Sequence, residues 1–137
     1  MIQMMIQICT IKASMMYGVD QNLINTIIKA ESNYNVHAVS TTHDHGLMQL
    51  HKQEVYEVCE NIKRGTDLLN KCKQTYEKKL GDAWIVCYNT GIRGASGLTR
   101  QQALQHPYYK KIRSAYVSNK IHQRFPDRNL PKRLHDG

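Results

Sequence analysis

The chain has 137 residues, with 19 Lys and Arg against 11 Asp and Glu, a formal charge of +8. That length holds one compact domain around one hydrophobic core and leaves no room for a second. No apolar run approaches the roughly 20 residues of a membrane span, and so positive a balance favours polyanionic partners: nucleic acid, an anionic membrane surface, or a cell wall rich in carboxylates.

The predicted elements are helical almost throughout. The amino end, MIQMMIQICTIKASMMYG, opens with no Lys or Arg, and Gln3 and Gln7 interrupt its apolar stretch, unlike a secretory leader. Ile2, Met5, Ile6, Cys9, Ala13 and Met16 fall on a helical stripe, so this segment is read as the first helix of the domain. After the break at Gly18, Asp20 is a good N-cap for a helix with Leu23, Ile24, Ile27 and Ile28 on one face. Residues 33–45 lose periodicity and read as a loop, and GLMQL, Gly46–Leu50, is expected to open a short helix. From Asn61, apolar residues at Ile62, Leu68, Leu69, Cys72, Tyr76 and Leu80 predict a long helix ended by Gly81. Asp82 is expected to cap the segment AWIVCYN, with Gly91 as its terminator. Thr99 and Gln102 have capping-box spacing, and a last helix follows Pro107 with Tyr109, Ile112, Tyr116 and Val117 on one side. With no set of alternating strands, the expected fold class is mainly α, one domain over residues 1–124. A basic tail, 125–137, follows with Arg128, Lys132 and Arg133.

The four cysteines, Cys9, Cys59, Cys72 and Cys87, show no CxxC spacing, so no zinc site is expected. Cys9, Cys72 and Cys87 each fall on an apolar stripe, where a free thiol behaves as a small buried hydrophobe. A Cys59–Cys72 bridge conflicts with a helix starting near Ile62, which carries Cys72 about 15 Å along its axis against a tolerance of about 7 Å. Free thiols and synthesis in a reducing compartment are the expectation.

Glu31 is the anomaly in the pattern. It follows Ile27 by four residues and Ile28 by three, so helical geometry aims a carboxylate along an apolar face. Desolvation there disfavours the charged form, and a carboxylic acid that stays protonated near neutral pH is what glycoside cleavage requires of a general acid. Position alone favours the plainer reading, a glutamate at a helix end that bends back to solvent.

The neighbouring residues narrow the choice. Glu31-Ser32, Asn35, Ala38-Val39-Ser40 and Gly46-Leu47-Met48-Gln49 follow one another in an order that resembles the catalytic core of the soluble lytic transglycosylases, relatives of the goose-type lysozymes. Asn61-Ile62 with Gly65, Tyr88-Asn89-Thr90-Gly91, and the segment from His106 through Tyr108 to Ile112 resemble three later motifs of that family, and the likeness spans roughly residues 5 to 118. The resemblance implies a lysozyme-like α+β fold with a substrate groove and Glu31 as the catalytic acid and base. It also implies that Tyr88 and Tyr108 reach toward Glu31, and that Ser32, Met48, Gln49 and Asn89 bind or position substrate. Met48 suits such a groove as an adaptable apolar contact and Gln49 as a two-way hydrogen-bonding amide. Departures from the family pattern are the polar run Thr41–His45, where small residues are usual, and a short span between Gln49 and Asn61. Asp44 is a candidate second carboxylate, while His43 and His45 lack a ligand set and imply no metal.

By this resemblance the chain cleaves the β-1,4 bond between N-acetylmuramic acid and N-acetylglucosamine in peptidoglycan, leaving a 1,6-anhydromuramyl end and needing no cofactor. The alternatives are a hydrolytic muramidase using Glu31 and Asp44, or a catalytically silent wall-binding or virion protein. Nucleic-acid binding is not expected, because no basic recognition face is interleaved with aromatics. The expected setting is synthesis in the cytoplasm and action at the bacterial wall or periplasm, as in phage lysis or virion wall penetration. The basic tail would hold the chain on anionic wall or outer-membrane surfaces.

Overall fold

The computed structural model describes residues 1–124, so the tail expected at 125–137 lies outside the described residues. In chain order the elements are α1 (Ile2–Tyr17), α2 (Gln21–Ser32), β1 (Asp44–His45), β2 (Leu50–His51), α3 (Val58–Leu80), a 3-10 turn (Gly81–Ile85), α4 (Val86–Ala95), α5 (Arg100–Leu104) and α6 (Pro107–Arg124). The fold is mainly α, as the periodicity predicts.

Helix α3 is the spine: it touches α1, β2, the 3-10 turn, α4 and α5, while α2 packs on α6 and α1. Its inward face carries Ile62, Leu69, Cys72, Tyr76 and Leu80, all buried against Ile24, Ile27 and Ile28 of α2, Leu47, Val86 and the rest of one core. It begins one turn before the expected start at Asn61, because the Glu57 carboxylate accepts the N–H groups of Cys59 and Glu60 at 2.9 Å each. Glutamate is not among the usual capping residues, which hides this boundary from the sequence. The Asp20 cap on α2 forms as expected, and Thr99 and Gln102 close a reciprocal capping box on α5.

Three expectations are corrected. Gly46–Leu50 opens no helix: it is the turn of a hairpin in which Asp44 pairs with His51 and His45 with Leu50. Gly46 (φ 79°) and Gln49 (φ 52°) both adopt left-handed backbone, which a right-handed helix cannot contain. Asp82 caps no helix: it lies inside the 3-10 turn Gly81–Ile85, where no side-chain cap bond is made, and α4 starts only at Val86. Gly91, non-helical at φ 85° and ψ 160°, does end that first run, and a second short helical stretch follows it to Ala95. On α1, Ile6, Cys9 and Ala13 are buried, whereas Ile2, Met5 and Met16 of the expected inward stripe face solvent.

The cysteines are not free thiols. Cys9 bridges Cys59, with Cα atoms 5.1 Å apart, and Cys72 bridges Cys87, at 5.6 Å. The argument against a Cys59–Cys72 pair holds, since both lie on α3, about 20 Å apart at 1.5 Å per residue. Each instead finds a partner on another element: α1 for Cys59, and the start of α4 for Cys72.

Candidate active site

Helix α2 delivers Glu31. The residues that precede it on the same face, Ile24, Ile27 and Ile28, have no solvent exposure, so the last turn carries the carboxyl to the edge of the core, where it is half-buried. Asn33, in left-handed backbone, then ends the helix by donating its N–H to the Lys29 carbonyl. Burial pushes the Glu31 carboxyl above its ordinary range. The Tyr108 hydroxyl, donating to Oε2 at 2.7 Å, and the ammonium of Lys111 pull the other way, and the charge of Asp44 adds a further upward push. The net direction is upward, toward a carboxyl that keeps its proton.

Tyr108 comes from the first turn of α6, 77 residues on in sequence, and is buried to 8% exposure. Burial first, then the neighbouring Glu31, hold its phenol well above its ordinary value, so it remains a hydrogen-bond donor. Lys111 follows by three residues on the same helix face, a spacing that makes it a readable neighbour of the Tyr108 site.

The Gly46–Gln49 turn is held by an interlock of motifs. Asn61, itself buried, accepts the Met48 N–H at 2.8 Å and donates its amide to the carbonyls of His45 (3.0 Å) and Val55 (2.7 Å). A Cβ on Gly46 would lie 2.3 Å from the Asn61 amide nitrogen, and one on Gly65 would lie 2.4 Å from the Met48 sulfur. Thus the two glycines and Asn61 are where they are because turn and helix approach too closely for any other side chain. Tyr88 completes the lock by donating to the Met48 carbonyl at 2.6 Å.

The sequence-derived residues therefore divide by geometry. Tyr108 reaches Glu31; Tyr88 does not, its hydroxyl being committed to Met48 although it feels the Glu31 charge. Met48 has no solvent exposure, so the apolar sugar contact expected of its side chain is instead a core contact with Gly65 and Thr66. The Gln49 amide spends its donors on the Ala38 and Gly46 carbonyls, which leaves its oxygen as the group still able to meet a ligand. Ser32 donates to the Ile28 carbonyl at 3.0 Å. Asn89 is exposed, next to the buried Tyr88.

Asp44 sits in a different environment. Ser40 and Thr42 hydroxyls donate to one carboxylate oxygen at 2.9 and 2.6 Å, and His51 Nδ1 lies 2.8 Å from the other. Partial burial raises this carboxyl, but the bonds from Thr42, His51 and Ser40 outweigh it and hold the group below its ordinary range. The sequence does not reveal His51 as its partner, because the pairing depends on the unexpected hairpin. His45 turns away to the Tyr56 hydroxyl at 2.8 Å, and no His, Cys, Asp and Glu grouping suited to a metal occurs among the described residues.

Replacing Tyr108 by Phe removes a hydrogen bond that favours ionised Glu31, so the Glu31 carboxyl should titrate at still higher pH than in the parent. A carboxyl-resolved NMR titration measures the shift, and an unmoved midpoint would reduce Tyr108 to a packing role.

Two carboxyls thus stand near one another in opposite states, one disposed to hold a proton and one to shed it, beside a turn fastened by three motifs. The sequence profile described as Transglycosylase SLT domain matches residues 8–106, which takes in Glu31, the interlocked turn, Tyr88 and Asn89. With most of its length matched, the chain belongs to the SLT transglycosylase family, whose members are peptidoglycan lytic transglycosylases.

Proposed function

We propose that this enzyme cleaves the MurNAc-β-1,4-GlcNAc bond with Glu31 as its sole essential carboxyl and leaves a 1,6-anhydromuramyl end. Protonated Glu31 gives its proton to the glycosidic oxygen as the C1–O bond breaks. The resulting carboxylate then takes the proton of the muramyl 6-hydroxyl, whose oxygen bonds to C1. Glu31 is protonated again at the end, and no water is added. The observation that carries this reading is the half-buried Glu31 carboxyl, pushed toward protonation and oriented by the Tyr108 hydroxyl. Ser32, the Gln49 oxygen and Asn89 are the groups proposed to meet the sugar, with Met48 and Tyr88 acting through the turn they anchor.

The hydrolytic alternative asks Asp44 to activate water or to support the oxocarbenium ion. Ser40, Thr42 and His51 already engage both of its oxygens, which favours a turn clamp and leaves it poorly disposed to take a proton. Mass spectrometry of digested muropeptides separates the two, because the anhydro product is lighter by one water and resists borohydride. Anhydro ends are expected, with Asp44→Asn lowering the rate less than tenfold; predominantly reducible ends would make the enzyme a muramidase.

Two disulfides fit an enzyme working in an oxidising space outside the cytosol, which supports action at the wall. The basic stretch 125–137 is proposed to hold the domain on anionic wall polymers, supported by Arg128, Lys132 and Arg133 in the sequence.

A further inference from the structure

Helix α1 is apolar on both of its sides. Ile6, Cys9 and Ala13 are turned into the domain, and the opposite side exposes Met1, Met4, Ile8, Ile11 and Met15 at 101%, 64%, 47%, 39% and 79%. Those five are spaced three, four, three and four residues apart, the a/d repeat with which one helix seats its side chains between those of another. A contiguous exposed apolar face of this kind marks a contact with another protein or a membrane. No charged side chain lies on the seam, and Lys12 is the one charged side chain of the helix, on the flank.

From this pattern we infer that α1 is a homodimerisation surface on which a second copy of this chain packs helix to helix. With Met5 beside the seam, the exposed apolar area is on the order of 600 Å² per chain, the small end of the ~600–1,000 Å² each partner brings to a specific interface. An antiparallel pairing sets Ile8 of one copy against Ile11 of the other and Met4 against Met15. Lys12 shares its flank with Met5 and in that pairing lies beside Met5 of the partner copy, so that like charges do not meet. A membrane surface fits less well. Interfacial helices border their apolar face with Lys and Arg, whereas the flanks here carry Gln7, Ser14 and a single Lys12.

Sedimentation velocity of the full chain from micromolar to near-millimolar concentration tests the proposal. The expected result is a reversible monomer–dimer equilibrium, abolished by Ile8→Glu and by Ile11→Lys with unchanged circular dichroism and wall-cleaving rate. Mixing those two variants should restore a heterodimer, because the introduced carboxylate of one and the introduced ammonium of the other would then face each other. A merely structural role for either residue would not produce that rescue. A parent chain that stays monomeric at the highest concentration overturns the proposal. So does a monomeric parent that co-sediments with phosphatidylglycerol vesicles and loses them on Ile8→Glu, which would assign the face to lipid.

Discussion

Substituting Glu31 by Gln should lower peptidoglycan cleavage by about a hundredfold to ten-thousandfold, the range that a positioned general acid contributes, while leaving the fold intact. The amide is nearly the same shape and its oxygen can still accept from Tyr108, but it has no proton to give to the glycosidic oxygen. The same substitution carries a stability signature with a definite sign. Because burial raises the folded-state pKa of Glu31, its favourable contribution is full below the ordinary carboxyl range and is lost as pH rises through the raised value. Gln does not titrate. The variant should therefore melt higher than the parent at pH 7 to 8, with the gap closing toward pH 4. Turbidity loss of permeabilised cells and thermal melts at several pH values measure the two effects. Activity near the parental rate would move the acid elsewhere, and a pH-independent gap in melting temperature would deny Glu31 its desolvated state.

How much of this site the sequence discloses depends on whether its determinants are local. The apolar face that carries Glu31 is a three-and-four spacing within one helix, so it can be read directly from Ile24, Ile27 and Ile28. The order of Gly46, Asn61, Gly65 and Tyr88 is legible as motif. The reason for the order is three-dimensional: Asn61 bonds the Gly46–Met48 turn, and Gly65 makes room for Met48. For that reason, Met48 and Tyr88 are legible as important but not in role, the one being buried beneath the turn and the other tied to its carbonyl. The hairpin is hidden because its strands are two residues long, too short for alternation to register, and with it goes the Asp44–His51 pair. Disulfide partners are hidden for a different reason. An apolar stripe attracts a buried thiol and a buried bridge alike, and which cysteines meet is set by how α1 and α4 lie on α3.

Those bridges lead to the second large effect. Removing the Cys72–Cys87 bridge by a double substitution to Ala should cost about 3 kcal/mol, the loop-closure term for a span of some 15 residues, and lower the melting temperature by on the order of 10 °C. The loss should reach the chemistry as well. Cys87 immediately precedes Tyr88, and the bridge fixes the start of α4 on α3, the helix that also carries Asn61. Loosening α4 weakens the Tyr88 hold on the Met48 carbonyl, so cleavage should fall more steeply with temperature than in the parent. Cys72 and Cys87 are fully buried, whereas Cys59 is partly exposed. Reductant at low temperature should therefore open Cys9–Cys59 first and reach Cys72–Cys87 only as the domain unfolds. Alkylation followed by mass spectrometry should show that order, and the activity loss should track the second step. Equal melting temperatures for the parent and the Cys72→Ala, Cys87→Ala variant would show that packing alone holds α4, and would separate the bridge from the site it adjoins.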